Sequence, residues 1–205
     1  IINGEIVSGA SGSVVGSGPD KAEERNVGYF TGLRLEAPAD VAYAVGGPPL
    51  VTVSAPANIL PLVTTVVNGG YLTISIKGSV SFARPLQVVA SGPNLNELRS
   101  MGTGTISIHG ASGSVLRVKV SGSGAVVASG VVGRLVADVS GSGGVDASAL
   151  RAKVVEASVS GSGDVNAYAS EEARADVSGS GSIQILGQPA RRHVEKSGSG
   201  QIVFR

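Results

Sequence analysis

Apolar residues recur at every second position through long stretches of this chain, and the stretches repeat. One series runs Leu116, Val118, Val120, Gly122, Gly124, Val126, Ala128. The next runs Leu135, Ala137, Val139, Gly141, Gly143, Val145, Ala147, and then Val155, Ala157, Val159, Gly161, Gly163, Val165, Ala167. A fourth runs Ala173, Ala175, Val177, Gly179, Gly181, Ile183, Ile185. The intervening positions are polar: Asp138, Ser140, Ser142, Asp146 in one copy, and Asp176, Ser178, Ser180, Gln184 in another. A period of two with a constant apolar side predicts half-buried strands.

Each series crosses a Ser-Gly-Ser-Gly tetrapeptide, which begins at Ser121, Ser140, Ser160, Ser178 and Ser197. The spacings are 19, 20, 18 and 19 residues, and a variant copy, "MGTG", begins at Met101, 20 residues before Ser121. In isolation the tetrapeptide reads as a flexible linker. A hairpin loop or linker would reset the alternation, and here the parity passes through unchanged. The glycines therefore take inward positions and the serines outward ones. A glycine facing inward lets the backbone approach the layer beneath it, or bend sharply at a corner.

A repeat of 18–20 residues is too short for a propeller blade and suits one coil of a β-solenoid. The predicted fold is all-β, with coils stacked by parallel strand pairing roughly 4.8 Å apart. Ile106, Val126, Val145, Val165, Ile183 and Ile202 form an inner ladder in this reading. The first serines of the repeats, Ser121, Ser140, Ser160, Ser178 and Ser197, form an outer hydroxyl ladder. Segments such as "SGVVGR" and "SALRAK" close the coils, and there the length varies. An antiparallel meander is the competing arrangement, but it gives no reason for near-identical copies at equivalent places.

The pattern weakens upstream. "LRLEAPADVAYAV" keeps the parity, with Ala37 and Ala39 in the glycine slots, and reads as a degenerate coil. "LVTVSAP", "YLTISIKG" and "PLQVVASG" read as further strands, "NGG" at 68–70 as a turn, and the segment around Ile59 as one helical turn. Residues 1–26 lack sustained alternation and read as a Gly/Ser-rich arm. The organisation expected is an arm over 1–26 and a coil domain over 27–205, irregular to about residue 100 and regular over 101–205.

Composition narrows the chemistry. Of 205 residues 31 are Gly, aromatics make up 3%, and Trp is absent, so the core must be built from Val, Ile, Leu and Ala. With 16 basic and 15 acidic residues, the net charge of +1 gives no electrostatic basis for nucleic-acid binding. The absence of Cys removes disulfides, zinc thiolates and thiol catalysis. No apolar run is long enough to span a membrane, and the first residues lack a signal-peptide pattern. The low charged fraction, 15%, favours an exported protein whose leader has been removed over a cytoplasmic one.

Candidate sites are few. His109 and His193 have no nucleophile and acid near them in the pattern and read as surface residues. Asp164 follows a repeat glycine, but the equivalent slots hold Thr105, Ala125, Gly144, Ser182 and Gln201, which is no metal array. Asp138 and Asp176 share an outward column with Lys119, Ser158 and Glu195 and read as a solvated face. The glycines of "GTGTISIHG" lack the lysine and following helix of a phosphate loop. Arg191 and Arg192 read as a surface pair. No catalytic residue, metal site or cofactor is expected. The hydroxyl ladder is the one regular polar surface, and its spacing suits an extended polymer such as a glycan. The simpler reading is that Ser is the small polar residue tolerated at a tight bend.

In the last copy the inward series reads Arg192, Val194, Lys196, Gly198, Gly200, Ile202, Phe204. Charge at Arg192 and Lys196 either guards a free strand edge, with Phe204 plugging the core, or marks an end that pairs with a second copy in a homo-oligomer.

The order of "GYFTGLRLEAPADVAYAVG", "VTVSAPANILPLVTTVVNGGYLTISIKG", "PLQVVASGPNLNELRSMGTGTISI" and the "VSGSGDV"-like coils resembles the GIN domain. That domain is assigned as the head of auto-transporter adhesins in exported bacterial proteins, and the likeness covers about residues 27–205. The resemblance implies a right-handed, single-stranded parallel β-helix. It also implies an extracytoplasmic location, in the periplasm, outer membrane or at the cell surface. The function implied is a non-enzymatic adhesin head or scaffold whose surface ligand is a glycan or a protein. The alternatives are a polysaccharide-binding or polysaccharide-active β-helix protein, and a periplasmic sensor or anchoring module attached to other domains.

Overall fold

The computed structural model describes residues 13–205, which are mostly strand, with one short 3₁₀ turn at Leu60–Leu62. The first eight strands are β1 (Val14–Val15), β2 (Asp20–Asn26), β3 (Gly32–Leu35), β4 (Ala39–Pro56), β5 (Val63–Asn68), β6 (Tyr71–Ile76), β7 (Val80–Ser81) and β8 (Leu86–Gly92). The regular part holds β9 (Glu97–Ser100), β10 (Thr105–Val120), β11 (Ala125–Val139), β12 (Gly144–Val159) and β13 (Asp164–Val177). It ends with β14 (Ser182–Leu186), β15 (Arg191–Lys196) and β16 (Gln201–Phe204). The chain is a β-solenoid of about five turns.

Each regular coil has two main sides that meet at the Ser-Gly-Ser-Gly corner. After the corner, the first side stacks the start of β4 on β10, β11, β12, β13, β14 and β16, all parallel. Before the corner, the second side stacks β6, β3, β9 and the ends of β10 to β13 on β15, again parallel. The long strands β10 to β12 bend once more between these sides. Register shifts fall there, at Ile108/Ala111, Val127/Ser129 and Ala147/Arg151, where the repeat length varies in the sequence.

The predicted inner ladder forms in register: Val41 pairs Ile106, then Val126, Val145, Val165, Ile183 and Ile202 follow in turn. The side chains from Ile106 to Ile183 are at most 2% exposed, and Ile202 is partly buried at the end of the stack. Facing them are Leu98, Val118, Ala137, Ala157 and Ala175, also buried. Large residues sit towards the N-terminal end, where Phe30 meets Tyr43 edge to face at 6.0 Å and the Tyr43 hydroxyl donates to the Pro93 carbonyl at 2.6 Å. Burial pushes the Tyr43 phenol well above its ordinary value, with a smaller contribution from Tyr29. Ser100 is an exception. It fills the slot of Val120, Val139, Val159 and Val177, and its hydroxyl is buried without a partner.

The corner shows why glycine is required. A Cβ built on Gly163 would come closer than 3.0 Å to the Gly143 carbonyl oxygen, and one on Gly143 would meet Gly124 in the same way. The neighbouring column behaves alike, with Gly179 over Gly161 and Gly161 over Gly141. The obstacle is the coil beneath, and it is backbone. These carbonyls are also acceptors: Gly143 N–H donates to Gly122 O at 3.1 Å, Gly163 to Gly141 at 3.2 Å, and Gly181 to Gly161 at 3.1 Å. Upstream, Gly102 and Gly104 lie over Ala37 and Ala39 in the same way.

The N-terminal third departs from plain coiling. β4 turns back on itself at Gly46 and Gly47, whose φ values of +114° and +77° suit glycine. Its first arm pairs β8 from Ala39–Leu86 onward, while its second arm pairs the same strand in the opposite sense, Leu50 with Ser91 and Ser54 with Gln87. β5 and β6 form an antiparallel hairpin across the turn at Asn68–Tyr71. Residues 20–26, read from the sequence as part of an arm, form β2, antiparallel to the second arm of β4. Its residues Asp20, Lys21, Glu23, Glu24 and Arg25 make a charged edge that discourages further pairing. Residues 1–12 of the expected arm lie outside the described residues.

At the other end β15 is exposed along its whole length. The Arg192 guanidinium lies 4.8 Å from the centre of the Phe204 ring, and Phe204 packs against the core. Phe204 therefore covers part of the core in this coil, with Arg192 laid over it.

Gly163→Ala should lower the unfolding free energy by roughly 2–3 kcal/mol, because backbone must shift to admit the methyl group. Ser162→Ala, one residue away and facing solvent, should leave it within about 0.5 kcal/mol of the parent. Equilibrium denaturation of both variants checks this, and equal losses would contradict the carbonyl clash.

Candidate functional site

The parity that buries the glycines presents two serine columns at the corner. Ser121, Ser140, Ser160, Ser178 and Ser197 are all exposed, as are Ser123, Ser142, Ser162, Ser180 and Ser199. The first column is held in place by its own backbone: Ser140 N–H donates to Val120 O, Ser160 to Val139 O and Ser178 to Val159 O, each at 2.9 Å. The corner also explains Asp164. Its Oδ1 accepts from the Ser182 amide at 3.1 Å and the Ser182 hydroxyl at 2.5 Å, tying one coil to the next. Asp40, in the same slot, accepts from the Thr105 amide at 3.0 Å. These carboxylates are corner ties. Among the described residues no group of three His, Asp or Glu side chains is placed to share a metal.

Two residues before each serine lies a second outward column, on the second side. In register it runs Arg34, Arg99, Lys119, Asp138, Ser158, Asp176, Glu195. The sequence places Lys119, Asp138, Ser158, Asp176 and Glu195 in this column, and the structure extends it with Arg34 and Arg99. Its sign changes midway, from cations near the N-terminal end to carboxylates near the other. At the acidic end Glu195 pairs with Arg174 at 3.2 Å and His193 at 2.7 Å. The hydrogen bond from His193, then the nearby Arg174 charge, lowers the Glu195 carboxyl.

The cationic end has more structure. The Tyr71 ring lies across Gly32, where any side chain would strike it, and reaches Glu97 two strands away. The Tyr71 hydroxyl donates to Glu97 Oε2 at 2.6 Å, and Arg99 Nε donates to Glu97 Oε1 at 2.5 Å. The guanidinium carbons of Arg34 and Arg99 lie 5.3 and 5.4 Å from the ring centre, a cation–π arrangement. Burial pushes the Glu97 carboxyl up. The hydrogen bonds from Tyr71 and Arg99 and the charges of Arg99 and Lys119 outweigh it, and Glu97 titrates below its ordinary range. The same hydrogen bond to Glu97, followed by burial, raises the Tyr71 phenol. Sequence reading missed this cluster. Alternation turns Arg34, Glu97 and Arg99 outward, but nothing in the sequence shows that β6 lies beside β3.

The remaining candidates stand apart. His109 and His193 are both exposed, with His109 Nδ1 3.3 Å from the Ser129 hydroxyl. Arg191 pairs with Glu172 at 2.9 Å. A cavity of about 350 Å³ lies beside Asp20, Ser54, Phe82, Arg84 and Gln87. Arg84 and Asp20 approach there to 3.5 Å. No helix of the described residues is long and apolar enough to cross a membrane.

Glu97→Gln tests the cluster through pH. A carboxyl held below its ordinary value of 4.5 stabilises the folded state above that pH and loses its contribution as pH falls through the lowered value. The variant should be less stable than the parent at neutral pH, and its stability should decline less between about pH 5 and pH 3. Parallel pH curves for the two proteins would contradict the assignment.

Comparison with known proteins places this geometry. No curated protein matches the chain. Among solved structures, a putative adhesin from Bacteroides fragilis superposes with a TM-score of 0.76 at 25% identity, covering 94% of this chain and 100% of the other. A putative adhesin from Parabacteroides merdae gives 0.65 at 16% identity, over 94% and 99% of the two chains. A putative lipid binding protein from Parabacteroides distasonis gives 0.55 at 21% identity, over 95% and 100%. The last two likenesses are of fold alone. The sequence model of one family matches residues 29–189, from the first core residues to the penultimate coil. The chain belongs to that family, described as putative auto-transporter adhesin, head GIN domain.

Proposed function

We propose that this protein is a non-enzymatic, exported head domain that binds an extended surface ligand, a glycan, along the serine columns of its corner. The observation that carries this reading is the unbroken column Ser121, Ser140, Ser160, Ser178, Ser197, exposed throughout and repeated once per coil. Parallel stacking sets the hydroxyls roughly 4.8 Å apart, so the corner presents the same donor and acceptor at regular intervals. A polymer with regularly spaced hydroxyls can meet several of them at once. The glycines beneath hold the corner rigid, so little ordering remains to oppose binding. Membership of an adhesin-head family supports the same reading and favours a location outside the cytoplasm.

The test is retention on arrayed oligosaccharides. The parent protein should be retained, and Ser140→Ala, Ser160→Ala and Ser178→Ala combined should reduce retention about tenfold through the loss of three hydroxyls. The triple variant should melt with the parent, since these side chains face solvent. Retention unchanged by the three substitutions would contradict the serine-column reading.

A further inference from the structure

We propose that Arg34, Arg99 and Lys119 form a subsite for the carboxylate of an acidic sugar at one end of the bound glycan, and so set the direction in which that glycan lies on the serine columns. The inference rests on the serine-column reading and adds to it a ligand class and a polarity.

Three observations carry it. The first is position. Arg34, Arg99 and Lys119 share one outward column on three neighbouring strands, β3, β9 and β10. Lys119 and Ser121 are two residues apart with the same outward parity, so the cationic column meets the start of the serine column at Lys119, while the equivalent slots beside Arg99 and Arg34 hold Met101 and Glu36.

The second is an electrostatic conflict within the free protein. Like charges directly opposite on neighbouring strands destabilise a sheet, and here three stand in succession. Arg99 is engaged by Glu97. Arg34 lies on the Tyr71 ring, its nearest carboxylate is Glu36 at 3.9 Å, and its Nε is buried without a partner. Lys119 stands in register with Asp138 and its charge acts on Glu97, with which Arg117 is in register, yet among the described residues neither Lys119 nor Arg117 forms an ion pair. With Arg117 the cluster carries four cations against the two carboxylates of Glu36 and Glu97, and Arg117 and Lys119 are exposed. A further carboxylate beside Lys119 would offset the excess positive charge and gain charge-assisted hydrogen bonds.

The third is the change of sign. Beyond Lys119 the same column carries Asp138, Asp176 and Glu195. A uniform polyanion laid along the corner would meet these carboxylates. The cationic part spans three strands, roughly 10 Å, which accommodates one or two anionic groups and is too short for a nucleic-acid backbone. The ligand that fits is largely neutral, with an acidic sugar at the end that meets β3, β9 and β10.

Titration followed by NMR with 3′-sialyllactose, lactose and polygalacturonate tests this on the whole protein. The sialylated sugar should bind about tenfold more tightly than lactose at low salt, as expected for a charge-assisted contact. Salt should remove most of the difference. Arg34→Gln with Lys119→Gln should bring 3′-sialyllactose to the level of lactose and leave lactose unchanged. Arg174→Gln, which removes a cation at the far end, should leave the preference intact. Polygalacturonate should bind no more tightly, per carboxylate, than 3′-sialyllactose. Equal binding of 3′-sialyllactose and lactose, or a preference that survives the double substitution, would overturn the subsite and leave the serine-column reading standing. A preference for polygalacturonate would overturn the proposed polarity. Absence of binding by all three sugars would overturn both readings.

Discussion

Everything in this fold depends on how closely two backbones approach at the corner. Where the chain turns from one side of a coil to the other, the carbonyl oxygens of the coil beneath occupy the space that a Cβ would need. With glycine there, the amides of one corner reach the carbonyls of the previous corner, and the bend becomes part of the hydrogen-bonded stack. A bend that stacks fixes the register of the strands on both sides of it. That register keeps Val, Ile, Leu and Ala on the inner side of every coil. The serines are outward for the same reason, since a one-residue slip would exchange the two faces.

The first and last described coils are built differently. In the N-terminal third antiparallel pairs are added to the parallel coils, and among the described residues the charged strand Asp20–Asn26 forms the outer edge of the first side. The largest core side chains, Phe30, Tyr43, Leu33 and Leu35, fill the wider space there. In the last described coils the core holds Ala173, Ala175, Val177, Ile183 and Ile185, with Phe204 packed against it beneath Arg192. The regular surface therefore lies along the sides, where position along the stack determines charge. Cations from β3, β9 and β10 give way to carboxylates from β11 onward, and the line of hydroxyls begins at Ser121, beside Lys119.

The regular coils were legible in the sequence because a period of two is a local signal that survives repetition. Parity alone put Gly143 and Gly163 inward and Ser140 and Ser160 outward, and it identified Ala37 and Ala39 as stand-ins for glycine. It could not show how β4 doubles back around β8, because Gly46 and Gly47 permit a turn without specifying which strand receives the second arm. Residues 20–26 escaped for a related reason: an edge strand with both faces wet has no apolar alternation to display. The Tyr71–Glu97–Arg99 cluster was hidden for a third reason. Its members come from strands far apart in sequence, and their meeting depends on the order of β6, β3 and β9 in the sheet.

Amide hydrogen exchange at the corner glycines tests the central claim most directly. If the Ser-Gly-Ser-Gly corners are hydrogen-bonded parts of the stack, the amides of Gly124, Gly143, Gly163 and Gly181 should be protected. Their exchange should require the same large-scale opening as that of core residues such as Val139 and Val159. Exchange of these glycines at the rate of an exposed linker, while Val139 and Val159 stay protected, would contradict the account.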